Sequence, residues 1–301
     1  MIDVSDKPDT FREAVAESVV KVSKDTIEIV KRGESPKGDI VDAVKISSTF
    51  AAKKTHELIP YCHPIPIDHI GIDVDIQDNS IIIKAIVKSI WKTGVEMEAL
   101  TAVSIGALTV YDMLKPIDDN ISIESIKLIK KRGGLKRFYE KPDKTLKAAV
   151  IIVSDTASKD EKADKSGNII INKLKENYFD VIEYKIIPDE KEIIESLLRK
   201  LSDQGVDLII TSGGTGVGPR DVTPEATLNV IEKEMKGIEE ALRAYGQRRT
   251  PLSMLSRGVV GVRKNSVIVN LPGSPKAVSE SLNALFPGVL HIYKMLGGYK
   301  H

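Results

Sequence analysis

Residues 69–87, HIGIDVDIQDNSIIIKAIV, decide the fold class of the first half of the chain. They contain two runs rich in isoleucine and valine, His69–Ile76 and Ser80–Val87. The polar residues between these runs, Gln77 to Asn79, are typical of a tight turn. This pattern predicts a β-hairpin, and therefore a sheet with antiparallel or mixed pairing.

Helical patterns lie on both sides of the predicted hairpin. Their apolar spacing predicts helices over Lys37–Leu58 and Val95–Lys115, and Pro116 ends the second one. An alternating strand is predicted at Ile121–Ile129. Helices beside an antiparallel sheet predict an α+β fold for the first half.

A basic segment with glycine and proline, KKRGGLKRFYEKPDK at residues 130–144, separates the two halves. We interpret its charge as that of a solvated connector and not of a nucleic-acid-binding patch, because Lys+Arg 44 nearly balance Asp+Glu 43 over the whole chain. We expect a first domain over residues 1–140, a linker over 141–147 and a second domain over 148–301.

The second half has a different pattern, in which short apolar strands alternate with helices. This alternation predicts a doubly wound α/β domain with three layers and a mostly parallel sheet. Strands are predicted at Lys147–Ser154, Val181–Ile187, Val206–Thr211 and Ser266–Leu271, and helices at Gly167–Tyr178, at Glu190–Gln204 and from Pro224 and Pro275.

Composition limits the classes of protein to which the chain can belong. The hydrophobic fraction of 42% lets both halves bury a core, and the net charge of +1 does not favour nucleic acid as a ligand. No apolar run reaches the roughly 18 residues that span a bilayer, and no secretory h-region follows Met1. We therefore expect a cytoplasmic protein that does not bind membranes. The single cysteine, Cys62, excludes an internal disulfide and a multi-thiolate metal site.

The segment KKTHELIPYCHP, residues 53–64, concentrates titratable side chains. Pro60 and Pro64 restrict the backbone on both sides of the tripeptide Tyr61-Cys62-His63, so we expect a stiff, non-helical loop. Cys62 is more simply explained as a small packed residue than as a nucleophile, because nothing in the local sequence would lower its pKa.

The helix predicted over Val95–Lys115 carries charged residues at both ends. Glu98 and Asp112 are 14 residues apart, which separates them by roughly 21 Å along the helix axis. A small substrate cannot contact both within one copy, so a site that uses both would lie between subunits. Each charge also has a structural explanation, since Asp112 can pair with Lys115 and the glutamates suit the positive end of the helix dipole.

Several segments of the first half match one known family: Lys37-Gly-Asp, Ala51-Ala-Lys-Lys-Thr, Leu58-Ile-Pro-Tyr-Cys-His-Pro, Lys92-Thr-Gly-Val-Glu-Met-Glu-Ala-Leu-Thr and Tyr111-Asp-Met-Leu-Lys115. On these segments, the first half resembles the MoaC-like cyclic pyranopterin monophosphate synthases of molybdenum-cofactor biosynthesis, over about residues 2–136. The resemblance implies a ferredoxin-like α+β subunit that forms hexamers with sites between subunits. It also implies that a cyclic dihydro-GTP intermediate is converted to cyclic pyranopterin monophosphate and pyrophosphate.

The same resemblance implies roles for individual residues, with no cofactor required in this half. Lys37, Asp112 and Lys115 would be the acid–base groups, which suits the proton transfers of ring opening and pyran formation. Arg12 would bind phosphate, because the loss of pyrophosphate requires cations. The side chains that would contact the substrate are Tyr61, Cys62, His63, Glu96, Met97 and Glu98. Tyr61 stands where the family often has an aliphatic residue.

In the second half, a predicted strand leads into SGGTGVGPRDVTPE, residues 212–225. Its glycines let backbone N–H groups approach an anion, and Thr223 is the predicted N-cap of the next helix. The segment has neither the P-loop pattern nor the G-x-G-x-x-G spacing. A second turn, Pro272-Gly-Ser-Pro275, opens another helix with Ser274 as its N-cap. Asp189 and Asp221 could hold Mg²⁺ beside phosphates, or could be ordinary turn and helix-start residues.

Several segments of this half also match one known family: Ser154-Asp, Asp164-Lys-Ser-Gly167, Ile187-Pro-Asp189, Thr211-Ser-Gly-Gly-Thr-Gly216, Arg220-Asp-Val-Thr-Pro-Glu225 and Leu271-Pro-Gly-Ser-Pro275. On these segments, the half resembles the MogA/MoaB-like molybdopterin adenylyltransferases over about residues 147–295. The resemblance implies a trimeric fold that transfers AMP from ATP to molybdopterin with Mg²⁺ and releases pyrophosphate, with Asp189 and Asp221 as the essential carboxylates. The expected nucleotide- or molybdopterin-binding residues are Asp155, Gly167, Ser212, Gly213, Gly214, Thr215, Gly216, Pro272, Gly273 and Ser274.

We therefore predict a bifunctional enzyme of molybdenum-cofactor biosynthesis, a lyase joined to a nucleotidyltransferase. We expect a homo-oligomer, a trimer or a hexamer, that acts on small pterin and nucleotide substrates and could contact other enzymes of that pathway. One alternative is a synthase fused to a noncatalytic pterin-binding or scaffolding domain, because activity does not follow from fold. Another is a metal-binding regulatory first half that uses His56, Cys62 and His63.

Overall fold

The structure, a computed structural model, describes residues 1–155 and 165–298. The chain divides between Arg137 and Phe138 into two compact units. Each unit has its own hydrophobic core, and each is described by itself.

The N-terminal unit is an antiparallel sheet with helices packed against it. Its elements are β1 (Thr10–Lys21), α1 (Lys24–Lys31), α2 (Ile40–Lys53), α3 (Thr55–Leu58), β2 (His69–Ile76), β3 (Ser80–Trp91), α4 (Glu96–Leu114) and β4 (Ser122–Gly133). The strand order is β2-β3-β1-β4. The predicted hairpin is present, because β2 and β3 pair antiparallel from His69 opposite Lys88 to Ile76 opposite Ile81. The predicted α+β class is therefore confirmed.

Small residues let α4 lie close to the sheet and to α2. Ala14 and Ala16 of β1 and Ala107 of α4 are completely buried where the helix crosses the strands. At Gly106 a Cβ atom would lie 2.5 Å from Ser48 Oγ on α2, closer than packed atoms approach. The helix is therefore fixed between the sheet and α2, and the positions of its two ends are fixed with it.

Helix α4 is also long and apolar enough to cross a membrane, by length and composition alone. More than half of it is buried inside the unit, as in the core helix of a globular protein. Packing against both the sheet and α2 explains its apolar composition, because such a helix buries more than one face.

The C-terminal unit is a six-stranded sheet with the order β6-β5-β7-β10-β9-β8. Its strands are β5 (Leu146–Val153), β6 (Phe179–Ile187), β7 (Leu208–Ser212), β8 (Lys233–Glu234), β9 (Val260–Arg263) and β10 (Ser266–Leu271). Its helices are α5 (Lys165–Glu176), α6 (Lys191–Asp203), α7 (Thr223–Leu228), α8 (Lys236–Gln247), α9 (Pro275–Leu285) and α10 (His291–Leu296). The strands β6, β5, β7 and β10 are parallel, whereas β9 and β8 add an antiparallel edge.

Helices cover both faces of this sheet. Along β5, Val150 and Ile152 face a core that includes residues of α5 and α9, whereas Ile151 and Val153 face a core that includes residues of α6. Strands buried on both faces read as continuous apolar runs, as β5 does. The predicted doubly wound α/β domain with a mostly parallel sheet is confirmed.

The basic segment that we interpreted as a connector begins inside β4. Residues 130–133 continue the ladder with β1, where Lys130 lies opposite Val15 and Gly133 opposite Arg12. The local charge concealed this strand, because an edge strand can carry lysines and still donate its backbone hydrogen bonds.

Helix ends differ from the prediction by a few residues. The helix predicted over Lys37–Leu58 begins at Ile40, after the side chain of Asp39 caps it, and is interrupted at Lys54. Thr223 is the first residue of α7 and not its N-cap. Ser274 is the N-cap of α9, as predicted, and its side chain accepts a hydrogen bond from the Ala277 N–H.

Candidate active sites

Asp112 lies at the C-terminal end of α4 between two lysines. Its Oδ2 accepts a hydrogen bond from Lys37 Nζ at 2.7 Å, and its Oδ1 lies 2.8 Å from Lys115 Nζ. Lys37 also donates to the main-chain carbonyl of Asp112 at 2.9 Å. The fold thus brings together three residues that we predicted as acid–base groups, although Lys37 is 75 residues from Asp112 in the sequence.

In the free protein, Asp112 is ionised and Lys115 is protonated near neutral pH. Hydrogen bonds from Lys115 and then from Lys37 lower the pKa of Asp112 to about 2. The same pairing raises the pKa of Lys115. The cluster therefore presents ammonium protons that an ionised carboxylate holds in place. Each of the three side chains is at least 40% exposed, so a ligand can reach them.

The Tyr61-Cys62-His63 loop and the first turn of α4 line a pocket of about 280 Å³. Glu96, Met97 and Glu98 all line it, so the structure groups the predicted substrate contacts of this half. Glu98 is only 3% exposed, and its Oε2 has no hydrogen-bond partner in the described part of the chain. Burial, with a further contribution from the charge of Glu96, raises the pKa of Glu98 to about 7. Glu98 is therefore a carboxyl group that gains and loses its proton near neutral pH.

Cys62 shares this pocket with Glu98. Burial, and then the charge of Glu98, raise the pKa of the Cys62 thiol. Such a thiol is mostly protonated at neutral pH and is a poor nucleophile. Among residues 1–155 and 165–298, no group of three or more His, Cys, Asp or Glu side chains could hold a metal ion. His56, Cys62 and His63 therefore do not form the metal site considered above.

Arg12 lines a second pocket of about 640 Å³. Its guanidinium donates to the carbonyls of Trp91 at 3.3 Å and Lys92 at 3.1 Å, which fixes its direction. Gly134 makes room for it, because a Cβ atom there would lie 2.3 Å from Arg12 Nη1. The other charged residues that line this pocket are Lys7, Glu13, Glu96, Lys131, Arg132, Lys136 and Arg137. Cations outnumber carboxylates here, so the pocket suits an anion.

Arg12 is the phosphate-binding residue that we predicted, whereas Lys131, Arg132, Lys136 and Arg137 belong to the segment that we interpreted as a solvated connector. The pair Gly133-Gly134 was the available signal. Both glycines have positive φ angles, of 105° and 85°, and they turn the chain back beside Arg12. Glu96 lines both pockets, so the two are neighbours.

The described contacts place the two groups of predicted residues at opposite ends of α4. Glu98 belongs to its first turn, and Asp112 lies two residues before its end. A separation of roughly 21 Å along the axis prevents one small ligand from contacting both within one copy.

In the C-terminal unit, the glycines after β7 bring two carboxylates together. At Gly214 a Cβ atom would lie 2.3 Å from Thr223 Oγ1 and 2.8 Å from Asp189 Oδ1. At Gly216 it would lie 2.8 Å from Asp221 Oδ2. The absence of side chains at 214 and 216 therefore lets the loop pass between Asp189 and Asp221.

Two hydrogen bonds with Asp155 connect Asp189 to the end of β5. The Asp155 N–H donates to Asp189 Oδ2 at 3.0 Å, and the Asp189 N–H donates to Asp155 Oδ1 at 3.1 Å. Arg220 in turn donates to Asp155 at 3.0 and 2.9 Å and to Glu190 at 2.8 Å. Burial raises the pKa of Asp189, and the charges of Asp155 and Asp221 add to the effect. A nearby cation would relieve this repulsion between carboxylates.

The predicted turn at residues 272–275 lies against the segment that begins at Ser212. Ser212 Oγ donates to the Pro272 carbonyl at 2.9 Å, and Ser166 Oγ, next to Gly167 on α5, donates to the Gly273 carbonyl at 2.8 Å. The predicted residues at 155, 167, 212–216 and 272–274 therefore meet at the carboxyl ends of the parallel strands, where α/β sheets bind ligands. Asp164, part of a matching segment, lies outside the described residues.

Both halves of the chain match known families. Residues 1–134 match the MoaC family, and residues 149–291 match a domain described as "Probable molybdopterin binding domain". A "Molybdenum cofactor biosynthesis bifunctional protein" of Chlorobaculum tepidum is 40% identical over 301 residues, which are 100% of this chain and 96% of that protein. The chain belongs to this bifunctional family.

Other relatives agree with this assignment. A protein of the same name from Synechococcus elongatus is 36% identical over 100% of this chain and 98% of its own length. A "Cyclic pyranopterin monophosphate synthase" of Aquifex aeolicus is 31% identical over 92% of each chain. The predicted resemblances of the two halves are therefore confirmed, and we call them the MoaC-like and MogA/MoaB-like units.

The MogA/MoaB-like unit has a further pocket of about 400 Å³ beside residues 213–218, which follow β7 and which we call the glycine loop. Thr215, Gly216, Pro272 and Ser274 of the predicted site form one side of it. The other side comes from α8, α9 and residues 250–256, and no motif marks α8 or this segment in the sequence. They have no anion-binding pattern of their own, so only the fold shows that they face the loop.

The buried Glu98 predicts how the stability of the MoaC-like unit depends on pH. A folded-state pKa of about 7, against 4.5 for an ordinary glutamate, means that the folded chain binds the proton more tightly than the unfolded chain. This contribution to stability is present below pH 4.5 and is lost as the pH rises through 7. Urea unfolding, followed by the fluorescence of Trp91, should show a loss of up to about 3 kcal/mol between pH 5 and pH 8.

Glu98→Gln should remove this pH dependence, because an amide does not titrate there. Glu28→Gln, on the exposed surface of α1, is the matched control and should leave it unchanged. If the free energy of unfolding changes equally with pH in wild type and in Glu98→Gln, Glu98 is ionised in the folded protein throughout this pH range.

Proposed function

We propose that the MoaC-like unit converts a cyclic dihydro-GTP intermediate to cyclic pyranopterin monophosphate and pyrophosphate. The observation that carries the proposal is Asp112 held between the ammonium groups of Lys37 and Lys115 in a unit of the MoaC family. Relatives named as cyclic pyranopterin monophosphate synthases support it, with 45% identity over 48% of this chain in Thermomicrobium roseum.

The chemistry requires several proton transfers, and the cluster supplies groups for them. Lys37 or Lys115 gives a proton to a substrate oxygen and becomes a neutral amine, which can then accept the next proton. Asp112 stays ionised, because its pKa is about 2, and it keeps both lysines directed at the same place. Lys37 and Lys115 would therefore carry the proton transfers at this end of α4.

The basic pocket around Arg12 would hold the triphosphate part of the substrate. Arg12 and the lysines and arginines beside it neutralise the charge that grows as pyrophosphate leaves. The neighbouring pocket of Tyr61, Cys62, His63, Met97 and Glu98 would hold the ring system. The pocket around Arg12 is lined mainly by cations, which suits phosphate groups. The neighbouring pocket has both polar and apolar side chains, which suits a ring system.

The active unit would be an oligomer, because one copy separates Glu98 from Asp112. Side chains on α2 and α4 support this proposal: Ile46 is 72% exposed, Phe50 63% and Leu108 54%. Such an apolar surface is typical of a protein interface. The chain order and the strand order β4-β1-β3-β2 support a ferredoxin-like subunit, for which the family resemblance implies hexamers.

Subunit complementation tests the shared site. Full-length Glu98→Ala and Asp112→Ala proteins should each lose synthase activity, by about 10²-fold or more. Mixed oligomers of the two, formed by coexpression, should recover a fraction of it, because some interfaces then combine an intact Glu98 with an intact Asp112. Coexpression of Lys37→Ala with Asp112→Ala is the matched control and should recover nothing, since both residues belong to one cluster. Recovery in neither mixture, or an active monomer on sedimentation, would exclude the shared site.

The MogA/MoaB-like unit would adenylylate molybdopterin with ATP. Support comes from the glycine loop, whose backbone N–H groups can bind phosphate, and from the two carboxylates beside it. The residues fit a magnesium ion: Mg²⁺ is commonly held by one or two carboxylates and substrate phosphates, and Thr223 Oγ1 is a buried oxygen without a partner in the described residues. Asp189 and Asp221 would hold the ion, which would neutralise the triphosphate.

A noncatalytic pterin-binding or scaffolding unit is the competing function, and full-length variants separate the two. Asp112→Asn should lose synthase activity and keep AMP transfer, whereas Asp221→Asn should do the reverse. Pyrophosphate release with each substrate in turn measures both reactions. Wild-type protein that binds molybdopterin but transfers no AMP in the presence of ATP and Mg²⁺ would favour the noncatalytic unit.

Gly214 gives a second test of nucleotide binding, with Gly205 as the matched control. Both glycines have positive φ angles, 62° and 73°, so alanine costs about 1 kcal/mol of backbone strain at either. Only at Gly214 would the added Cβ meet Asp189 and Thr223, because nothing lies within 4 Å at Gly205. Gly214→Ala should abolish binding of ATP with Mg²⁺ in calorimetry, whereas Gly205→Ala should only lower the unfolding midpoint. Equal affinities would remove the loop from the nucleotide site.

A further inference from the structure

Arg257 lies between the 3-10 helix Pro251–Leu255 and β9, and it contacts the glycine loop from there. Its Nε donates to the Gly216 carbonyl at 2.6 Å, and its Nη2 donates to the Asp221 carbonyl at 2.8 Å. Its Nη1 pairs with Glu225 on α7. Its own backbone N–H donates to the Thr215 carbonyl at 3.0 Å.

These hydrogen bonds fix both ends of the segment 216–221. Inside the segment, the Gly218 N–H donates to Asp221 Oδ2 at 2.7 Å, and the Asp221 N–H donates to the Gly218 carbonyl at 3.1 Å. The turn is thus closed by its own hydrogen bonds. The Arg257 guanidinium holds both of its ends, and Arg220 within the turn also bonds Asp155 and Glu190. A planar guanidinium fixes the directions of its donors, so it orients what it holds more strictly than a lysine does.

We propose that Arg257 is the positioning residue for Asp221. It holds the segment 216–221 in a conformation that keeps the Asp221 carboxylate beside Gly216, just as the Asp189 carboxylate lies beside Gly214. Arg257 bonds the main-chain carbonyl of Asp221, so it acts on that carboxylate through the backbone. Its effect on catalysis rests on the proposed adenylyl transfer, whereas its effect on the loop does not.

Arg257 directly follows a chain segment that lines a ligand pocket. The residues just before it, Leu255 and Ser256, line the 400 Å³ pocket together with Thr215 and Gly216. A ligand in that pocket therefore contacts the two chain segments that Arg257 joins. The Arg257 side chain therefore couples the binding of a ligand in this pocket to the position of Asp221.

The chain offers a matched control in Arg243. It also donates to one main-chain carbonyl, that of Gly258 at 3.2 Å, and to one glutamate, Glu239 at 3.1 Å. Its side chain is 33% exposed against 36% for Arg257, but it does not bond the glycine loop. Arg257→Gln, Arg257→Lys and Arg243→Gln can therefore be compared in the full-length protein.

Hydrogen exchange followed by mass spectrometry tests the effect on the loop. Arg257→Gln should exchange the amides of residues 216–221 at least about tenfold faster than wild type, because their restraint is lost. Arg257→Lys should fall between the two, and Arg243→Gln should leave this segment unchanged. Unchanged exchange in Arg257→Gln, or equally faster exchange throughout the MogA/MoaB-like unit, would overturn the positioning role. If Arg257→Gln does not fold, Arg257→Lys decides by the same criterion.

Kinetics tests the consequence for Asp221. At saturating substrates, kcat for AMP transfer should fall by about 10²-fold in Arg257→Gln, the order expected when a catalytic group is displaced by about 1 Å. The KM for molybdopterin should change little, and lysine should recover part of kcat. A normal kcat with a mobile loop would overturn the role in catalysis. Wild-type protein without AMP transfer would instead refute the proposed function, and the exchange data would still decide whether Arg257 positions the loop.

Discussion

Both candidate sites depend on close packing of the backbone at glycine and alanine positions. In the MoaC-like unit, Gly106 and alanines let α4 lie against α2 and the sheet, so the ends of α4 are fixed. In the MogA/MoaB-like unit, a Cβ atom at Gly213 would lie 2.1 Å from the Val153 carbonyl of β5. The glycine loop therefore lies directly on the ends of the strands. Interiors packed to this density leave little freedom for the groups attached to them.

Two carboxylates on one helix show how environment decides chemistry. Asp112 is exposed between two lysines and has a pKa of about 2, whereas Glu98 is buried and has a pKa of about 7. One is a permanent anion near neutral pH, and the other can donate or accept a proton. Groups whose pKa values are pushed apart in this way are typical of acid–base sites. In this protein they face each other only if another copy brings the opposite end of α4 close.

Much of the fold could be predicted because local patterns agree with it. The long helix α4 and the strand β10 match their predicted bounds closely, and the hairpin is present with its second strand extended from Val87 to Trp91. Local charge misled the prediction at residues 130–133, which form the end of β4 through pairing with β1. Segments such as 250–256 could not be assigned to a site, because their only relevant property is what they pack against. Arg257 belongs to the same class, since the partners of its side chain lie 32 to 41 residues away.

The sequence by itself determined the two fold classes, the family of each half and the identity of the groups near each site. Hydrophobic period, glycine spacing and residue type are local properties, and each of them can be read without coordinates. Only the tertiary structure decided the protonation of Glu98, the basic lining around Arg12 and the support of Asp221 by Arg257. These depend on burial and on distances between residues far apart in the chain. The free energies of charge–charge interactions and of hydrogen bonds vary steeply with burial and with distance.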